Sequence, residues 1–422
     1  MTIAAIPPLS RDRRVQTWVL AACVSAIGDR IWIIALAWTA VRVAIPATAG
    51  LVIGCSAISN ACFILIGGVI ADRVETRRVL LIANAGRVAV LAVALPIGLF
   101  LGASVAVLAG VALAFGAADA LGDPALGTMP RQMVRPEDLG ATSAMFQLAS
   151  RIARFVGAPV GGLIIATGGL SLAIGADLAS FLVIGIVVWT LLQPRMPIVR
   201  DTSRSPVRDF KAAARYLRHD QRARTLTIAL SGLNVFISPV ISIGIAMRVH
   251  ASGWSALVLG VADGGLGVGA AVGAIIGMRW RPNRPARTGF LLLAVQGSAA
   301  ITTGLDMKTT VVAAATAIGV TSGLASSQLS GVFQQTVRAE FLGRVGSIVN
   351  LSDQALLPVS MAAFGVATGI IGVGWTSAVC GAAMAILVGW SASRPTIAAI
   401  QNPTTKITTN QRLRDTQTRP DR

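Results

Sequence analysis

The chain has 422 residues, 54% of them apolar and only 13% charged. Soluble domains carry about a quarter charged residues, so this composition excludes an ordinary water-facing surface and makes lipid the main solvent. The net charge of +18 raises nucleic acid as a partner, a reading that the positions of the basic residues remove. Crossing a bilayer core takes about 20 apolar residues. In chain order, such runs fall at 17–40, 48–71, 79–101, 103–123, 140–167 and 171–192. Six more follow at 225–247, 255–278, 287–305, 309–330, 345–371 and 374–392. The sequence therefore predicts an all-α membrane protein of twelve transmembrane helices in two six-helix bundles, 17–192 and 225–392. Residues 1–16 are expected to form a cytoplasmic N-terminus without a cleavable signal peptide, and 393–422 a disordered cytoplasmic tail rich in Thr, Arg and Gln. Within the central loop, 193–224, residues 206–220 read as a short basic helix on the membrane surface, with Phe210, Ala214 and Leu217 on one side.

The halves repeat. Val134-Arg-Pro-Glu-Asp-Leu-Gly140 returns as Val337-Arg-Ala-Glu-Phe-Leu-Gly343, five of seven residues identical at an offset of 203. An internal repeat among apolar spans is a mark of secondary transporters. With the N-terminus inside, 29 of the 36 basic residues fall in cytoplasmic segments, three in external loops and four within spans. That bias sets both termini in the cytoplasm of a multi-pass cell-membrane protein. The basic charge then faces anionic lipid, and no nucleic acid is needed.

Several chemistries find no support. The four cysteines (Cys23, Cys55, Cys62, Cys380) lie in apolar runs without metal-ligand spacing, and His219 and His250 stand far from them. Gly264-Gly265-x-Gly267-x-Gly269 sits inside a span with no strand before it, so it is not a nucleotide loop. The expectation is a protein without cofactor or metal, and not an enzyme.

Gly68-Val-Ile-Ala-Asp72-Arg73-Val-Glu75-Thr76-Arg77-Arg78 follows the second span. It resembles the loop motif G-x-x-x-D-R-x-G-R-R of the major facilitator superfamily, matching at Gly68, Asp72, Arg73 and Arg77 and departing at Glu75 and Thr76. In the fifth span, Gly157-Ala-Pro159-Val-Gly161-Gly162 resembles the G-P-x-x-G-G motif of the superfamily's exporters, with Pro one residue late. Asp123-Pro124, Pro130, Pro136-Glu-Asp-Leu139 and Asp177-x-x-Ser180-Phe181 resemble the enterobactin-exporter-type, or transmembrane secretion effector, branch. The resemblance implies the major facilitator fold of two pseudo-symmetric bundles and transport by alternating access.

It also implies roles. Asp72 would meet the eleventh span's N-terminal end near Gly343–Ser347, where unpaired backbone donors and the helix dipole favour a carboxylate. Arg73 or Arg77 would pair with Asp123, or serve only as topology markers. Gly265, Gly269, Gly273 and Gly277 make a flat face on span eight, and Gly157 and Gly161 one on span five. The superfamily brings these two helices together between the halves, so the faces are expected to pack there; packing within one half is the alternative.

Ionisable groups inside spans are costly and mark function. Asp29 is expected to pair with Arg151 or Arg154, with Arg30 facing elsewhere, and Asp263 to meet Arg154 across the interface. Asp29 and Asp263 lead the proton-site candidates, followed by Asp119; permanent ion pairing is the alternative. Asp177, Asp353 and Arg87 read as structural. Trp32, Trp38, Asn234, Phe236, Gln296, Gln328 and Gln147 are candidate cavity residues. The expected function is a monomeric, proton-coupled exporter of a small amphiphile such as a drug, metabolite or siderophore. The alternatives are a nutrient importer on the same fold and a non-transporting sensor or partner protein.

Overall fold

The computed structural model describes residues 6–196, 206–280 and 282–393, with side chains left undescribed at 64–73 and 206–209. The side chains of Gly68, Asp72 and Arg73 and the tail beyond Ser393 thus lie outside the described residues. The first half contains α1 (Arg13–Val43), α2 (Pro46–Arg73), α3 (Thr76–Phe100), α4 (Val105–Met133) and α5 (Leu139–Thr190). A short helix, α6 (Pro206–His219), leads to α7 (Gln221–Pro239), a π-helical segment (Val240–Gly244) and α8 (Ile245–Ala251), which together make one span. Then come α9 (Ala256–Arg279), α10 (Pro285–Thr302), α11 (Lys308–Thr336) and α12 (Leu342–Ser393). No strand occurs among the described residues.

Nine helical stretches among the described residues are long and apolar enough to cross a membrane. Two of them, Pro136–Thr190 and Ala339–Ser393, each contain a pair of spans. The 18-residue α10 is the twelfth. α5 and α12 break at Gly169 (φ 64°) and Gly372 (φ 79°), a left-handed backbone that glycine adopts without penalty. Each break lies between two expected spans, and the chain reverses there. Ala149 and Val188, from opposite arms of α5, share one buried cluster. Met384 of the second arm of α12 lines the same chamber as Gly346 of the first.

The repeat extends beyond its seven residues. The offset of 203 carries α4 (Val105–Met133) onto α11 (Lys308–Thr336), α5 onto α12, and Gly169 onto Gly372. Caps fix several starts by satisfying orphan N–H groups. The Asp12 carboxylate accepts from Val15 N at 3.4 Å, Ser104 Oγ from Val107 N at 3.3 Å, and Asp220 from Arg222 N and Ala223 N, both at 3.0 Å.

The halves join at the face away from the termini. One continuous apolar cluster there unites Ile31–Val41 of α1 with Val240, Val249, Ala256 and Leu259 of the second half. Trp38 meets His250 edge-on at 6.0 Å. Small residues let backbones touch, the means by which helices associate in lipid. A methyl on Gly50 of α2 would come within 2.5 Å of the Met361 carbonyl of α12, and one on Gly365 within 2.5 Å of the Pro46 carbonyl. At the termini face the apolar contacts instead form two separate clusters. One is built on Val15, Trp18, Met133 and Leu192, the other on Ala213, Ala223, Val337 and Val345. Around Gly140, Gly343 and Gly346 nothing lies within 4 Å of a would-be side chain. Among the described residues, the molecule is sealed at one face and parted at the other.

One expectation is corrected. Gly265, Gly269, Gly273 and Gly277 pack against α11 within their own half, at Thr316, Val320, Leu324 and Ser327, and Gly157 and Gly161 pack on α1. The contact between halves uses the neighbouring faces. A methyl on Gly260 would lie 2.5 Å from the Ala158 carbonyl, and one on Gly264 2.7 Å from Pro159 Cγ; Gly162 meets Gly260. One residue turns a helix by about 100°, and the spacing did not distinguish the two faces. The basic helix α6 packs on the second half. Ala213, Tyr216 and Leu217 dock it onto α7 and the start of α12, with Tyr216 stacked on Phe341 at 4.5 Å, and Phe210 is exposed.

Candidate transport site

A chamber of about 520 Å³ lies among α7 and α9–α12 of the second half, with Arg154 of α5 as its one lining residue from the first half among the described residues. Its volume suits a drug-sized ligand. Leucine and isoleucine side chains cover much of it, and Phe333 is its one aromatic lining residue. Polar groups converge on it from several helices. Ser322, Ser326 and Ser330 recur at helical spacing on α11, Gln296 comes from α10, and Asn234 of α7 donates to Asp353 Oδ2 at 2.8 Å. Of the expected cavity residues, Asn234 and Gln296 line it. Gln328 instead donates to the Gly277 and Trp280 carbonyls, Trp32 stacks on Phe115, Trp38 is buried, and Gln147 and Phe236 lie elsewhere.

Two charge clusters lie in and beside the first half, the second of them reaching the chamber through Arg154, and α1 connects them. In the first, Arg87 of α3 forms an ion pair with Asp119 of α4 and lies over the Phe181 ring at 5.3 Å. Asp29 of α1 lies in the field of Arg87, Asp119, Arg30 and Asp123, with Arg151 and Arg154 not among its main neighbours. The expected pairing is corrected here: adjacent residues diverge around the helix, and Arg30 turns toward α5 instead. A methyl on Gly157 would lie 2.8 Å from Arg30 Cβ. Asp177, fully buried on the second arm of α5, borders this cluster. A methyl on Gly28 would lie 2.6 Å from its Oδ1, Ser180 Oγ donates to that oxygen at 3.2 Å, and its Oδ2 has no hydrogen-bond partner.

In the second cluster Arg30, Arg154 and Asp263 interact electrostatically across the seam between α1, α5 and α9, with Arg151 close to Arg154. Gly267 makes room for the Arg154 stem: a methyl there would lie 3.1 Å from its Cγ. A buried charge is costly unless it is paired and hydrogen-bonded, so a shift in the geometry of these groups changes the energy of the whole cluster.

The loop-motif expectation is partly replaced. Arg77 donates to the Val188 and Trp189 carbonyls, tying the start of α3 to the end of α5, and is not paired with Asp123. Asp123 belongs to the Asp119–Arg87 group. Of the glycine–proline motif in α5, Gly157 and Gly161 face α1 and Pro159 and Gly162 face α9. Arg87, Asp177 and Asp353 read as structural in sequence, yet all three stand in these polar groups. No periodicity marks them; only the packing of helices distant in the chain brings them in.

Comparison with known proteins agrees with this architecture. No curated protein sequence matches the chain. A variant of the nucleoside transporter NupG superimposes with TM-score 0.72 at 11% identity, covering 90% of this chain and 99% of that one. A bacterial homologue of the iron transporter ferroportin, in an inward-facing state, gives 0.70 at 13%, covering 90% and 99%. The human organic anion transporter MFSD10 gives 0.62 at 14%, covering 91% and 100%. At these identities the likeness is one of fold. The profile of the Major Facilitator Superfamily matches residues 18–361, and the chain, a multi-pass membrane protein, belongs to that family of transporters.

Proposed function

We propose that the chain is a proton-coupled exporter of small amphiphilic molecules, working as a monomer in the cell membrane with both termini in the cytoplasm. The observation that carries this is the pair Asp29 and Arg30. Asp29 sits in the field of Arg87, Asp119, Asp123 and of Arg30 itself, and Arg30 also acts on Arg154 and Asp263 at the seam beside the chamber. A proton taken up or lost near Asp29 changes the field on one side of α1, and the seam lies on its other side. Asp263 is the second proton candidate, and Asp119 and Asp177 complete the group. The basic bias of the termini-side segments supports the orientation, which makes the parted face cytoplasmic. Asp72 and Arg73 take the gating role in this reading.

Export is favoured by the α5 motif and by the resemblance to the enterobactin-exporter-type branch. The test is accumulation in cells. Expression of the chain lowers the steady-state content of a transported dye, antibiotic or siderophore, and Asp29→Asn restores it. A raised content supports the importer instead. Unchanged content for every compound supports the non-transporting partner.

A further inference from the structure

The chamber holds two charges of opposite sign, neither of which has an ion-pair partner among the described residues: Arg154 from the first half and Asp353 from the second. Asn234 fixes one oxygen of Asp353, while Oδ1 is buried without a hydrogen bond. Gln296 Oε1, in the same wall, is likewise buried and unpartnered. Asp263 acts on Arg154 only at a distance, and Arg30 and Arg151 add like charge beside it, so the guanidinium end of the chamber remains cationic. Charges inside a membrane protein are matched by partners. Here each is half-buried and faces a cavity of ligand size.

From this we infer that the chamber selects amphoteric small molecules. A protonated amine docks on Asp353, with Gln296 Oε1 accepting a further N–H or O–H, and an anionic group docks on Arg154. The serines at 322, 326 and 330 serve hydroxyl or amide groups between the two ends, and the apolar wall takes the ligand's body. Because Arg154 and Asp353 belong to different halves, one bound molecule spans the seam. A molecule with a single charge satisfies one end and leaves the other unpaired, which lowers its affinity. The inference rests on the reading of this chamber as the substrate site.

The experiment is equilibrium binding to the purified full chain in lipid nanodiscs. The probes are norfloxacin (zwitterion), its methyl ester (cation) and nalidixic acid (anion), within a wider set of drug-sized compounds of those three charge classes. The expected result is that the tightest binders are zwitterions, by about tenfold over matched singly charged compounds. Asp353→Asn then weakens zwitterions and cations about tenfold and leaves anions unchanged, and Arg154→Gln does the reverse. Binding retained for the opposite class shows that each variant is folded. Binders confined to cations or to anions, zwitterions insensitive to both substitutions, or no zwitterion bound at all would overturn the inference. Binding does not depend on direction or coupling. The expected pattern without proton-driven flux would therefore refute the exporter reading alone, and export of singly charged compounds in preference to matched zwitterions would refute the amphoteric selection alone.

Discussion

Asp12 shows how single contacts hold the termini face. Its side chain caps α1 and forms an ion pair with Arg195, which also donates to the Met133 carbonyl at 3.1 Å. Burial raises the Asp12 carboxyl, and the Arg195 hydrogen bond and charge outweigh it, leaving the pKa lowered from 3.8. A depressed folded-state pKa gives stability that is present above about pH 4 and lost as the pH falls through the folded value. Arg195→Gln should therefore lower thermal stability at pH 7, by about 3 kcal/mol for a largely buried pair. It should also flatten the fall of melting temperature below pH 4; an unchanged acid limb would count against the pair. At Gly28 a side chain would strike Asp177 and Ser180. Gly28→Ala should cost about 1–3 kcal/mol, read as a lower melting temperature in detergent, and should disturb the acid cluster as well.

At the scale of elements, α9 presents two glycine faces with different duties. Gly269 holds α9 to α11 within one half, and Gly264 meets Pro159 across the seam. Gly269→Leu should lower melting temperature, and Gly264→Leu should spare it more and slow transport by about tenfold. Equal effects of the two on both readouts would mean that the seam is no special surface. The twelve apolar runs were legible because lipid imposes a length on every span. The reversals at Gly169 and Gly372 were legible as gaps between runs. Which face of α9 meets which neighbour was not legible, since the short Gly260–Gly264 strip allows close approach as the longer one from Gly265 to Gly277 does. Asp29 and Arg30 were legible as costly charges in a span, but their partners were not. The placing of Asp29 near the Arg87–Asp119 ion pair rests on how α1, α3 and α4 assemble.

For the whole molecule, two halves repeated at an offset of 203 residues meet at one face and part at the other. In the proposed alternating access the halves rock about the seam of α5 with α9 and α2 with α12. One hydrogen bond between the halves, Gln354 Nε2 to Asn60 Oδ1 at 3.2 Å, crosses that seam. Such bonds contribute about 0.6 kcal/mol in membranes, small enough to break in each cycle. Spin labels at Gly140 and Gly343, both in open space, should approach one another when the molecule switches, while labels at Val43 and Ser252 on the sealed face should separate. A pair of distances that never changes under substrate or pH gradient would argue against rocking.

The coupling of protons to that movement through α1 is tested most directly by proton flux in proteoliposomes. The reconstituted chain is given an imposed pH gradient, and internal pH is followed as cationic dyes, antibiotics and catechol siderophores are added. The account predicts proton movement triggered by at least one compound and its loss in Asp29→Asn. Triggered flux of the same size in Asp29→Asn, or no triggered flux with any compound, would contradict it.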